Sequence, residues 1–266
     1  LSIGEVQINN NTVTVYAKSG YDCSALLTAT VDVYIGGSLV TTGTVTSKIT
    51  LSRIYGADMI RPEGDTVEAL NAALAAKVEK LPEGEQGIIN IVLVDGEYVG
   101  EIVIPESLAG RGNYEIHMRP ADGERTTIAG GIDLNGAQAV ISDVDFIAPE
   151  SSSGETCAIQ DGFCGPWGCT FQGYDVALYA TSGTMCPQYC VFADNGVAML
   201  VDIENARDQN RNSMVGNTFI NNNTAVQVLS LSDFVSPYYF RITDSNFVDN
   251  EVAFDVDVPG TLYLYR

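Results

Sequence analysis

Residues 169–201 read CTFQGYDVALYATSGTMCPQYCVFADNGVAMLV, and one short pattern stands in them twice, as Cys169-Thr170-Phe171 and Cys190-Val191-Phe192. Working outward, further copies centre on Phe146, Phe219 and Phe247, with spacings of 25, 21, 27 and 28 residues between successive Phe positions. A repeat of that length is a solenoid period, because one coil cannot bury its apolar face until a neighbour stacks on it. Two residues before each Phe stand Val144, Cys169, Cys190, Asn217 and Ser245, small enough to share one inward column. Three after it stand Asn195, Asn222 and Asn250, which suit a left-handed corner and an amide ladder from coil to coil. Beyond them, Val176, Leu178 and Ala180 match Val197, Met199 and Val201, then Thr224, Val226 and Val228, then Val252, Phe254 and Val256. Alternation predicts that these point inward and that Ala177, Tyr179, Ala198, Leu200, Ala225 and Gln227 point outward.

Short strands separated by corners at this period predict an all-β fold, a right-handed parallel β-helix with coils ~4.8 Å apart. A leucine-rich horseshoe would need a tighter Leu pattern. The first half supplies earlier coils in IINIVLV, EIVIP, YEIHMRP and TTIAGGIDL. Before them, residues 65 to 81 read as an amphipathic capping helix. Asp65 with Glu68 gives a capping-box-like start, and Val67, Leu70, Leu74, Val78 and Leu81 share one face. Such a helix covers both the core and the strand edges at a solenoid's open end. Residues 1–55 alternate as strands and form a separate N-terminal β appendage, leaving 56–266 for the β-helix. No cap pattern follows Tyr265 and Arg266, so the chain is expected to be part of a longer protein, or this end to be protected by another chain or domain.

With 13 basic and 34 acidic residues the net charge is −21, a field that repels nucleic acid and disfavours anionic polysaccharide unless calcium or a basic patch bridges it. Nucleic acid is excluded as a partner. No run of eighteen apolar residues exists, so no membrane span is expected. Low Lys, abundant Thr, Asn, Gly and Tyr, and six Cys resemble the composition of bacterial secreted proteins, which places the chain outside the cell or on its surface.

The order GDTVEALNAALAA, INIVLVDGEYVGEIVIP, TTIAGG, followed by CTFQGYDVALYA and a second Cys coil, resembles the pectin-lyase-like superfamily, and pectin methylesterases in particular. The resemblance implies the helix-capped β-helix scaffold. The esterase's catalytic positions are not matched. Its Gln-Asp pair falls on Asp175-Val176, its nucleophilic Asp on Val197, its earlier Gln near Thr156 or Cys157, and its Leu-Gly-Arg-Pro-Trp motif has no counterpart. Ester hydrolysis by that route needs two carboxylates and an oxyanion-stabilising group. Pectin methylesterase activity is therefore not expected.

Polysaccharide lyases on this scaffold pair calcium-binding acids with an Arg or Lys base, and the insertion VDIENARDQNRN offers Asp202, Arg207, Asp208 and Arg211, with Glu204 beside them. A solvated loop with surface ion pairs is the plainer alternative. Asp143 and Asp145 flank Val144 and Asp161 follows one coil later, a group that calcium would bridge, against a background of ordinary surface acids. No cofactor is required, and calcium is the candidate. Trp167 and Tyr179 offer faces on which a sugar ring can stack, though coil packing explains them equally. Cys164 and Cys186 lie at matching loop offsets and form the candidate disulfide, while Cys169 and Cys190 fill an inward column. The spacings lack the paired Cys of zinc sites. The favoured function is a non-catalytic secreted or cell-surface module that binds carbohydrate or another surface protein, or spaces other domains. The alternative is a divergent carbohydrate-active enzyme such as a calcium-dependent lyase.

Overall fold

A computed structural model describes residues 4–9, 12–17, 23–35, 38–51, 59–60, 66–93, 96–109, 112–121, 125–150, 156–180, 184–202, 212–229, 238–257 and 260–265. The chain divides into two compact units at Ala57 and Asp58. In the first, Gly4–Asn9 pairs antiparallel with Thr12–Ala17, and Cys23–Ile35 pairs antiparallel with Ser38–Leu51. The second is a parallel β-solenoid preceded by one helix.

Its strands stack into three faces. The first carries Met59–Ile60, Glu85–Leu93, Gly112–Pro120, Gln138–Ser142 and Phe163–Trp167 in parallel register. Bridges from Cys164 to Met185, Trp167 to Gln188 and Gln188 to Val215 continue it into Asn212–Val215, Tyr238–Thr243 and Gly260–Tyr265. The second face stacks Val144–Ile147, Thr170–Gln172, Val191–Ala193, Thr218–Ile220 and Asn246–Val248. The third stacks Cys157–Gln160, Val176–Ala180, Val197–Asp202, Thr224–Leu229 and Val252–Val256. In the early coils one long strand serves both of these faces, Glu97–Val103 and then Thr126–Asp133. At the bend of that strand neighbouring coils approach so closely that a Cβ on Gly130 would run into the Gly100 carbonyl oxygen, which only glycine tolerates.

The repeated Phe is the spine of the core. Rings of Phe146, Phe171, Phe192, Phe219 and Phe247 stack with centroids 4.8–4.9 Å apart and planes within 9° of parallel, all but the last fully buried. The centroid spacing equals the interstrand distance, so in-register pairing alone sets it. Beside the Phe, each Asn closes a rung of a ladder. Asn195 Nδ2 donates to Asn222 Oδ1 at 2.9 Å, and Asn222 Nδ2 to Asn250 Oδ1 at 2.8 Å. The same amides donate to the carbonyls of Phe171 and Phe192, and Asn250 to that of Phe219.

Two details differ from the sequence expectation. The left-handed corner is occupied one residue before the Asn, by Asp194, Asn221 and Asp249, and by Gly173 before Tyr174 in the preceding coil, which frees the Asn side chain to point inward and bridge coils. On the third face Ala177, Ala198 and Ala225 are fully buried, while the preceding Val197 and Thr224 are partly exposed. Two consecutive residues face the core there, a break in alternation that a small Ala accommodates where the coil tightens.

The helix runs Val67–Val78, with Val67, Leu70, Leu74 and Val78 buried. Its N-cap is Thr66, whose Oγ1 accepts from the Ala69 N–H at 3.2 Å, while the expected Asp65 lies outside the described residues. Asn71 does a second job. Its Nδ2 donates to the Glu101 carbonyl and its Oδ1 accepts from the Val103 N–H, both at 3.0 Å, so one side chain stands in for the missing neighbour of the edge strand.

Candidate functional site

The corner between the first and second faces is built from the residue three before each repeated Phe: Asp143, Gly168, Tyr189, Gly216 and Asp244. All five have positive φ, from 50° to 66°. Asp and Gly adopt this conformation readily, but a bulky Tyr rarely does. Tyr189 is the exception in its column, at φ 54° and 54% exposed.

Its ring meets that of Trp167, 47% exposed, with centroids 5.0 Å apart and planes tilted by 59°. The ring also lies over Gly216, where a Cβ would come within 2.6 Å of the Tyr189 Cδ1. The backbone below is held on both sides. Gly168 N–H donates to the Gln188 carbonyl at 2.9 Å, Asp143 N–H to the Trp167 carbonyl at 3.0 Å, and Tyr189 N–H to the Val215 carbonyl at 2.8 Å.

Arg125 fastens the flank. Its Nε and Nη2 donate to the two carboxylate oxygens of Asp145 at 2.9 and 2.6 Å, its Nη1 to the Gly168 carbonyl at 3.1 Å, and Nη2 to Thr170 Oγ1 at 3.3 Å. These hydrogen bonds from Arg125 hold the Asp145 carboxyl below the usual carboxylate range against the opposing effect of burial, with Thr170 adding to the shift. Asp143 lies on the other side, its Oδ1 3.0 Å from where a Gly168 Cβ would stand. The result is two exposed rings, an exposed carboxylate and the Gln188 amide on backbone that has little freedom.

Of the residues expected to act, the structure joins few. Trp167 is on this corner, but Tyr179 is half-buried on the third face, in the column of Gln160, Leu200 and Gln227. Asp143 and Asp161 occupy left-handed corners at φ 58° and 56°, and Asp145 is engaged by Arg125. Among the described residues no three Asp, Glu, His or Cys side chains are grouped so as to hold a metal ion, so the calcium trio is not assembled. Asp202 is buried at the end of its strand, while Arg207, Asp208 and Arg211 lie outside the described residues. At the positions where the esterase resemblance places chemistry, Val176 is buried and Val197 half-buried. Asp175 is tied to Thr156, accepting from its N–H at 2.8 Å and its hydroxyl at 2.9 Å, and these bonds lower the Asp175 pKa.

The expected disulfide is not formed: Cys164 and Cys186 each keep a thiol. Cys164 N–H bonds to the Thr184 carbonyl and Cys186 N–H to the Cys164 carbonyl, which puts Cys164 in register with Met185. One residue out of register, Cys186 projects from the opposite side of its strand. Burial pushes both thiols up from their ordinary values.

Tyr189 was missed by sequence reasoning, although its signal is present. Aligning the coils three residues before Phe gives Asp, Gly, Tyr, Gly, Asp, and the odd member is the functional candidate.

No protein-family model, curated protein or solved structure matches this chain. The structure shows a parallel β-solenoid of about 5 turns.

Proposed function

We propose that the chain is a non-catalytic β-solenoid module that works outside the cell and binds carbohydrate. Kinship with the pectin-lyase-like superfamily is part of this reading, supported by the helix-strand order of residues 64 to 131 and by the Cys-x-Phe coils. The observation that carries it is the exposed Trp167–Tyr189 pair on a rigid corner, since aromatic faces suit the apolar side of a pyranose. The acids at the corner and at the esterase-like positions support a binding role over catalysis as well. Asp145 and Asp175 are engaged in structural hydrogen bonds, and Asp143 serves a corner.

The test is a thermal-stability screen of the purified chain against neutral and acidic polysaccharides, with and without calcium, alongside assays for methyl-ester release and for the absorbance of unsaturated uronates. A ligand that binds only the native state raises Tm, by about 2.7 kcal/mol of added stability at a hundredfold excess over Kd. A rise with at least one glycan and no product in either assay is the expected result. Product formation would establish the lyase or esterase reading instead, and a flat screen would remove the carbohydrate.

A further inference from the structure

We infer that the Trp167–Tyr189 corner is a binding subsite for one uncharged hexopyranose ring of a neutral glycan; this rests on the carbohydrate reading above and gives it a location and a ligand class. The first support is conformational. A Tyr at φ 54° is strained by of order 1–2 kcal/mol relative to glycine there, and the coils on either side use glycine at that position. A backbone outlier that the fold does not need points toward function. Here the strained residue presents its ring to solvent.

The second support is steric. Gly216 leaves room for the Tyr189 ring, since a Cβ there would come within 2.6 Å of Cδ1, and a Cβ on Gly168 would press on Asp143 Oδ1 at 3.0 Å. Gly216 thus makes way for the Tyr189 ring. Trp167 meets the Tyr189 ring at 59°, so the two planes form an angled seat and not a single flat wall. One ring stacks under the C–H face of a sugar, while the other closes its edge.

The third support selects the ligand. Asp143 and Asp244 in the corner column are exposed, and the whole chain carries −21. A carboxylate accepts hydrogen bonds from sugar hydroxyls, as does the Gln188 amide, but it repels the carboxylate of a uronate. Arg125 on the flank already donates to Asp145 through two nitrogens and to Gly168 through the third. It is committed, so Arg125 does not balance a uronate's charge. The site therefore takes glucose-, mannose- or galactose-type rings and rejects galacturonate.

Trp167 is the single tryptophan of the chain, so intrinsic fluorescence reports this corner alone. The experiment titrates the full chain with neutral oligosaccharides (gluco-, manno- and galacto-hexaoses) and with oligogalacturonate, reading tryptophan emission, and repeats each titration by calorimetry. The expected result is a saturable emission change with at least one neutral series and none with oligogalacturonate. Tyr189→Gly should weaken that binding at least about tenfold, or 1.4 kcal/mol. Its Tm should be no lower than that of the parent, because glycine relieves the left-handed strain.

Binding seen by calorimetry with no change at Trp167, and unaltered in Tyr189→Gly, would overturn this site while leaving the module a carbohydrate binder. Saturable binding of oligogalacturonate at Trp167 would overturn the ligand class. No binding of any glycan by calorimetry would defeat both the site and the reading beneath it.

Discussion

The backbone N–H of Asn195 and its side-chain Nδ2 both donate to Asn222 Oδ1, at 3.1 and 2.9 Å, so a single buried oxygen closes two hydrogen bonds between neighbouring coils. Asn222 in turn donates from its own amide to the Phe192 carbonyl and to Asn250. Replacing Asn222 by Leu keeps the volume but leaves buried donors of Asn195 without acceptors. The expected loss is about 3 kcal/mol, since each buried unsatisfied group costs about 1–3 kcal/mol. Asn250→Leu, at the outer end of the ladder and partly exposed, should cost less. Urea denaturation of both variants measures the difference, and equal losses would mean that the ladder is not a buried network.

Phe192 stacks on Phe171 below and Phe219 above, at 4.9 and 4.8 Å. Phe192→Ala opens a cavity in the middle of the column and should cost about 3–5 kcal/mol. Phe192→Leu preserves most of the volume and loses the aromatic contacts on both sides, for about 1–3 kcal/mol. Chemical denaturation resolves these, and a leucine variant as damaged as the alanine one would show that ring stacking dominates over cavity volume.

The repeat was legible because the Phe and Asn columns recur in sequence as they do in space, one residue type per rung. The capping helix was legible from Val67, Leu70, Leu74 and Val78, whose spacing is that of one helix face. Its edge clamp was not, since Asn71 meets Glu101 and Val103 through contacts 30 and 32 residues away. The buried Ala177 column escaped because strict alternation assumes an unbroken pleat, and the coil tightens there. Half of the candidate site was legible. Trp167 was visible as an aromatic in a loop-like stretch, but its partner lies 22 residues on, and only one-residue-accurate coil alignment brings Tyr189 beside it.

Asn71 supplies the edge of the strand Glu97–Val103 with both a donor and an acceptor. Asn71→Ala removes both, and water replaces them only in part beneath the helix. The expected cost is about 1–2 kcal/mol, concentrated at the N-terminal end of the solenoid. Hydrogen exchange checks the placement: the Val103 amide should exchange faster in the variant while amides of the Phe192 coil keep their protection. Uniform acceleration across the solenoid would instead mean that the cap and the coils unfold as one unit.

Cys164 and Cys186 project from opposite sides of registered strands, and burial raises both thiols, which slows their attack on disulfide reagents. In a Cys23→Ser background, thiol titration under native conditions should proceed slowly, and after denaturation without reductant it should reach the full five of Cys157, Cys164, Cys169, Cys186 and Cys190. A titre two short would reveal a disulfide and contradict the register found here.

Arg125 and Asp145 form a two-pronged ion pair whose hydrogen bonds lower the Asp145 pKa in the folded chain. A carboxyl with a depressed folded pKa adds stability above its unfolded value of about 3.9 and loses it as pH falls through the folded pKa. Arg125→Gln should therefore be less stable than the parent at pH 7, and the gap should close as pH drops below about 4. Both partners are partly exposed, so the neutral-pH gap is expected at about 1 kcal/mol or less and should shrink in high salt. Guanidinium is unsuitable because it screens the pair, so urea unfolding at pH 7 and pH 3 is the measurement. A gap that stays constant across this range would assign Arg125 to holding the Gly168 carbonyl, and thereby Trp167, independently of the charge on Asp145.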